Sequence, residues 1–207
     1  MTKVSYKERE RQRREQEILE QAVQLIVERG YANLNMDELA DIVGISKPTL
    51  YQHFKSKDDL ISQAIIYYFS RMQQRLGEGL TGTPLNRLEQ LMRRMIRGRF
   101  AKDNVLAALD QETLWPLIRT HPGINEHRAK AYEGLKVLVQ EAIDHGEIDP
   151  DLPPQFVVRS MFCFQNAVSD PATKAELMAS EEKLEAASDI VVRMFLRAIR
   201  PDSRASE

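Results

Sequence analysis

A single cysteine, Cys163, stands in a sequence of 207 residues. That count excludes an intramolecular disulfide framework and a thiolate metal cluster built from one chain, and makes a reducing interior the natural setting. Long hydrophobic runs are also missing. The stretch AIIYYF is among the longest, far short of the roughly 18 residues of a spanning helix. The N-terminal MTKVSYKERERQRREQE is polar where a signal peptide needs an apolar core. The expected location is therefore cytoplasmic, with no membrane partner. Glycine and proline number only nine each, beside 43% hydrophobic and 29% charged residues, which describes a folded globular chain rather than a disordered one.

A strongly basic balance is absent too, since the net charge is −2. This weighs against a nucleic-acid binder, but the charge is uneven. Residues 1–14 carry six basic side chains, Lys3, Lys7, Arg9, Arg11, Arg13 and Arg14, against Glu8 and Glu10. Residues 44–57 carry Lys47, Lys55 and Lys57 and no acid. Local zones of this kind contact phosphates even on a near-neutral protein. The chemistry of an enzyme is missing as well: His53, His121, His127 and His145 show no ligand spacing such as HExxH, and there is no glycine-rich phosphate loop. No cofactor, metal site or catalytic residue is expected.

What is present is helical periodicity almost throughout. Ile18, Ala22, Leu25 and Ile26 make one stripe, and Ile61, Ile65, Tyr68, Met72 and Leu76 another. Punctuation divides the helices. The first runs from Tyr6 to Arg29 and stops at Gly30, read as a left-handed helix end. Asn35-Met-Asp-Glu38 reads as an N-cap with a glutamate three residues on, Gly44 ends the second helix, and Ser46 caps a third that tolerates Pro48 in its first turn. Ser56-Lys-Asp-Asp59 opens a fourth, reaching about Leu76. Further helices are expected near 85–100, 104–118, 124–145, 154–169 and 181–199, nine in all. The fold class is all-α. Residues 1–55 form a small three-helix unit and 56–207 a larger helical domain, with 56–78 as the linking helix.

Two short helices separated by GIS and followed at once by another are a helix-turn-helix in outline. Ala40 is small where the helices cross, Gly44 supplies the turn, and Leu50 and Phe54 return to the core at i, i+4. On a wheel with Leu50 inward, Pro48 and Gln52 occupy the opposite edge, flanked by Thr49 and Tyr51. Gln52 can pair with a base edge and Pro48 with a thymine methyl. Thr49, Tyr51 and Lys57 suit phosphates, and Ser46 and Lys47 sit where a helix N-terminus attracts anions. His53 lies nearer the buried side, where either role is open. With the cap Asn35 these make the candidate DNA-binding set. A solvated polar face is the bland alternative for any one of them.

At this point the stretch ILEQAVQLIVERGYANLNMDELADIVGISKPTLYQHFKSKDDLISQAI resembles the DNA-binding region of the tetracycline-repressor (TetR) family of bacterial transcriptional regulators. Its most telling piece is GISKPTLYQHFKSKDDL, with Thr49-Leu50-Tyr51, His53-Phe54 and Ser56-Lys57 standing as in the family pattern. The resemblance implies a nine-helix homodimer that binds double-stranded DNA at a palindromic operator. It also implies a C-terminal domain holding a small-molecule effector, whose binding moves the fourth helix and releases the DNA. Most such proteins are repressors.

The C-terminal residues add their own hints. FVVRSMFCFQNAV is apolar on nearly every face, and residues 181–199 similarly so. Both fit either a dimer through the last two helices or the plain core of the large domain. A candidate pocket gathers Met92, Met95, Phe100, Leu109, Trp115, Tyr132 and Phe164, together with the amides Gln165 and Asn166. Core packing is the competing role for each. A DNA binder regulated by a protein partner, or one with an architectural role and no small-molecule ligand, is the alternative reading. A thiol sensor at Cys163 ranks below it.

Overall fold

The structure, a computed structural model, describes residues 5–101, 104, 116, 120–168 and 171–201. Nine helices and no strand are found among them: α1 Tyr6–Arg29, α2 Met36–Val43, α3 Lys47–His53, α4 Lys57–Gly77, α5 Pro84–Phe100, α6 Pro122–Asp144, α7 Pro154–Asn166, α8 Pro171–Met178 and α9 Glu181–Ile199. The expected helix at 104–118 lies outside the described residues, as do the candidate pocket residues Leu109 and Trp115. In place of a simple loop before the last helix stands the eight-residue α8, which begins on a proline suited to a first turn.

Side-chain caps set most helix starts. Ser5, Ser46, Thr83 and Ser180 each accept a backbone N–H of their own first turn. At α4 the Ser56 hydroxyl accepts the Asp59 N–H at 3.1 Å, and the Asp59 carboxylate accepts the Lys55 N–H at 2.8 Å. Asn35 caps α2 by accepting the Asp37 N–H at 2.8 Å, but Glu38 does not complete a reciprocal box. It is held 2.5 Å from the Arg29 guanidinium instead, because the end of α1 brings a cation within reach. Gly44 is left-handed (φ 73°, ψ 36°), as the turn requires, whereas Gly30 combines φ 79° with ψ 164°. Gly30 thus ends α1 with positive φ but extends the chain instead of curling it.

The chain packs as two compact units. The first holds the described residues up to Met72 and those of α6 up to His127; the second holds Gln73–Ala101 and the residues from Arg128 onward. In the first, Ile18, Ala22 and Ile26 of α1, Leu39 of α2, Leu50 and Phe54 around α3, and Leu60, Ile61, Ala64 and Ile65 of α4 share one core with Ile124. The unit therefore does not stop at residue 55. The apolar stripe of α4 completes the core of the helix-turn-helix, and cutting the chain at 55 would expose it. Tyr67 fastens the same helix to α1, its hydroxyl 2.5 Å from the Glu20 carboxylate.

In the second unit α5 packs on α7 and α9, and α8 on α9. Leu88, Met92, Ile96, Val139, Val158, Met161, Val192 and Phe195 are fully buried there, and Phe164 meets Phe195 edge-on with centroids 5.8 Å apart. A carboxylate serves as a cap at its edge: Glu147 accepts the Leu85 N–H at 2.9 Å, satisfying a donor that α5 itself cannot.

Candidate nucleic-acid interface

α3 is seven residues long, too short to hold a helix on its own. Its shape comes from Leu50 and the following Phe54, both fully buried, and from Ser46, whose oxygen accepts the Thr49 N–H at 3.3 Å. With the inner side so anchored, Lys47, Pro48, Tyr51 and Gln52 are all exposed. The edge read from the wheel is thus an actual protein surface, with no aliphatic core residue on it. Thr49 is half-buried, and its hydroxyl lies 2.8 Å from that of Ser46.

Three of the sequence candidates are committed to the protein itself. The His53 ring is mostly buried and its Nδ1 stands 3.1 Å from Glu15 of α1. Lys57 holds its ammonium 3.3 Å from the Ala32 carbonyl and 4.6 Å from the Tyr31 ring centre, a cation–π geometry. Asn35 spends its side-chain oxygen on the α2 cap. These side chains shape the interface, and an exposed contact with a ligand would require them to leave their present partners.

Charge at this surface is less one-sided than residues 44–57 alone indicate. The Lys47 ammonium lies 2.7 Å from the Asp37 carboxylate. This hydrogen bond, with the attraction between the charges, raises the lysine's pKa above its ordinary value. Both partners are more than half exposed, so water and salt screen the pair and a phosphate can compete for the lysine. Asp37 was invisible as a neighbour of Lys47 because the turn, and not helical spacing, brings them together.

α1 contributes a second basic region with the same mixed character. Arg11 reaches Glu15 at 3.0 Å, Arg13 reaches Glu10 at 3.3 Å, and Arg14 bridges Glu17 at 2.9 Å and the Val43 carbonyl at 3.4 Å. Arg14 thereby ties α1 to the last carbonyls of α2, where a cation is favoured. Glu15 joins the two regions. Burial opposes its ionisation, but hydrogen bonds from His53 and Arg11 outweigh that effect and hold its carboxyl below the usual range. Glu15 was not singled out by sequence, and Arg14 was read only as part of the basic zone of residues 1–14, since their partners lie 38 and 29 residues away.

Of the pocket candidates, Met92 is fully buried, while Met95, Phe100, Tyr132 and Phe164 pack against the same core. Gln165 is buried, and its amide donates to the Met95 sulfur at 3.3 Å. The Tyr132 hydroxyl donates to the Gln155 carbonyl at 3.1 Å. Asn166 faces solvent at the end of α7. Among the described residues no three His, Cys, Asp or Glu side chains are grouped to hold a metal ion, and no helix is long and apolar enough to cross a membrane.

Residues 18–64, which hold this helix-turn-helix and its core, match the family model described as bacterial regulatory proteins, tetR family. Over these residues the chain is similar to the tetR family. Over 77 residues, 37% of the chain, it is 38% identical to the HTH-type transcriptional activator FasR of Mycolicibacterium smegmatis, but that match spans only 35% of FasR. A longer match of 156 residues, 26% identical, covers 70% of the chain and 73% of the HTH-type transcriptional repressor KstR2 from the same organism. Among solved structures, the transcriptional regulator FadR from Bacillus subtilis, in complex with stearoyl-CoA, shares the fold with a TM-score of 0.63 at 22% identity, over 89% of this chain and 98% of that one. All three of these similar proteins are transcriptional regulators.

Proposed function

We propose that this chain is a member of the tetR family and a homodimeric, sequence-specific transcriptional regulator of the cytoplasm. It acts as a repressor that leaves a palindromic operator when a small hydrophobic effector binds. In this reading the helix-turn-helix reads DNA, and residues 56–207 carry dimerisation and effector binding, with α4 as the link. The observation that carries the proposal is the edge of α3: Pro48, Tyr51 and Gln52 are exposed on a short helix whose other side is locked into a core. An edge so fixed presents base-reading groups without ordering them first, and a major groove admits a helix of this kind.

Support for the dimer comes from α7 and α9. Phe156 is 61% exposed, Ile190 51% and Met194 55%, more apolar surface than a lone soluble helix pair leaves in water. The charges of α9 are also polarised, with Glu181, Glu182 and Glu185 near its start and Arg193, Arg197 and Arg200 near its end. Two copies running antiparallel about a twofold axis set each acidic end beside the partner's basic end. Support for an apolar effector is the gathering of Met92, Met95, Phe100, Tyr132 and Phe164 around one core, together with the acyl-CoA held by the FadR neighbour. FasR is an activator and KstR2 a repressor, so repression here is tested directly, with a reporter gene behind the operator.

The deciding experiment is selection of bound sequences from a random duplex pool, followed by salt-dependent anisotropy on the selected site and on scrambled DNA. Enrichment of a palindrome with half-sites about one helical turn apart, roughly 34–36 Å or a near multiple, is the expected result. Salt-sensitive binding without sequence preference refutes the reading in favour of an architectural role.

A further inference from the structure

The core-facing stripe of α1 consists of Ile18, Ala22, Leu25 and Ile26, all buried. Traced back toward the start of the helix at the same spacing of three and four residues, it passes through Arg14, Arg11 and Lys7. Residues 6–13 are all exposed, so about 12 Å of helix projects beyond the core of the first unit. A helix end covered by the rest of the chain keeps its apolar stripe. This one exchanges the stripe for cations where the cover ends.

The exchange takes place beside the helix-turn-helix. Arg14 donates to the Val43 carbonyl at the end of α2, and Glu15 holds both Arg11 and His53, the last residue of α3. The stripe therefore turns cationic next to the ends of both short helices, within one compact unit. Arg11 and Lys7 carry it outward by about one and two further turns. On the other side of the same turns stand Arg9 and Arg13, each roughly 160° from its counterpart. Arg11 pairs with Glu15 and Arg13 with Glu10, so the two faces carry the same number of cations with similar local pairing. They differ in direction, because only one continues the surface on which α2 and α3 lie.

We propose that Lys7 and Arg11 form a phosphate-binding rail that prolongs the interface of α3 along the DNA backbone. The partner follows from charge and spacing: each strand of a duplex carries one anion per roughly 3.4 Å of axis, and Lys7 and Arg11 stand about 6 Å apart along α1, far enough for each to take a phosphate of its own. Contacts of this type fix the register of a protein on DNA and read no sequence. The inference rests on the DNA-binding reading above and adds a second contact surface to it.

The test uses the full-length protein as two double variants of equal charge, Lys7→Ala with Arg11→Ala and Arg9→Ala with Arg13→Ala. Anisotropy is read on the selected palindrome and on a scrambled duplex across a salt series. The first variant is expected to bind both duplexes about tenfold more weakly at about 0.1 M salt, with the slope of log affinity against log salt smaller by about two per bound subunit. Its preference for the palindrome should match the wild type, and the second variant should keep the wild-type affinity and slope. Equal losses in the two variants overturn the inference, since they reveal only the general attraction of a basic helix. A first variant that binds as the wild type does overturns it too. Where the first variant loses helical circular dichroism, Lys7→Ala alone, which leaves the Arg11 pair with Glu15 in place, is compared with Arg9→Ala under the same criteria, the expected fall in slope being about one per subunit. Failure of the regulator reading shows separately, as a wild-type protein without palindrome preference, and the difference between the two faces of α1 is then still read on the scrambled duplex.

Discussion

Two surfaces of this chain lie open to solvent, and they differ in kind. The edge of α3 is polar and partly cationic, with Lys47, Gln52 and Tyr51 around Pro48. The outer sides of α7 and α9 expose large apolar side chains, Phe156, Phe162, Ile190 and Met194, among charged neighbours such as Arg159 and Arg193. A polar edge stays hydrated until a partner with matched donors and acceptors displaces the water, which suits recognition that is made and broken. An apolar face gains from being covered at all times and suits a lasting partner. Under the proposed function the contrast matches a reversible partner at one surface and a lasting one at the other.

The largest effect that breaks this contrast comes from beneath the polar edge. Phe54→Ala removes a fully buried ring and should cost about 3–5 kcal/mol. Calorimetry should show the first unit melting early, and binding should be lost on specific and random DNA alike. Next comes the apolar face. Ile190→Asp with Met194→Asp should dissociate the proposed dimer in sedimentation, with a loss of at least about 2 kcal/mol in self-association, while the helical circular dichroism of the chain persists because both residues are exposed. A double variant that remains dimeric refutes α9 as the interface.

Smaller changes sharpen the polar edge itself. Gln52→Ala should relax preference at one base position by about 1–3 kcal/mol, whereas Lys47→Ala should weaken all sequences alike and flatten the salt dependence. Competition anisotropy on specific and random duplexes separates the two, and identical behaviour of both variants ends this division of labour. The smallest effect concerns acid. Glu15 has a folded-state pKa below its unfolded value, so its contribution is present above the unfolded pKa and is lost as pH falls through the folded one. Against Glu15→Gln, the wild type should hold a small stability advantage at neutral pH that fades below about pH 4, where a carboxylate titrates. Melting curves across that range check the sign.

Much of this was legible in advance where local chemistry decides the outcome. The bounds Tyr6–Arg29 and Glu181–Ile199 follow from serine caps and apolar stripes, and the exposed edge of α3 follows from Leu50 and Phe54 facing inward at i, i+4. What stayed hidden depends on contacts distant in sequence. Nothing near His53 announces Glu15, nothing near Lys47 announces Asp37, and Glu38 looks like a capping glutamate until Arg29 arrives from the neighbouring helix. The short α8 was missed for a different reason: Ala172, Thr173 and Lys174 follow its proline without a clear apolar stripe. The family resemblance marked the helix-turn-helix but could not show that α4 closes its core.

The seven residues of α3 borrow their helical form from the core beneath them. Pro48, Tyr51 and Gln52 meanwhile take almost no part in holding that core together. On the function proposed above, vocabulary and grammar are therefore separable in this molecule: the letters that would address a DNA site can be rewritten while the scaffold that presents them stays intact. A lineage duplicating this gene is free to acquire a new address in few steps, and an engineer retargeting the protein should begin with these three positions.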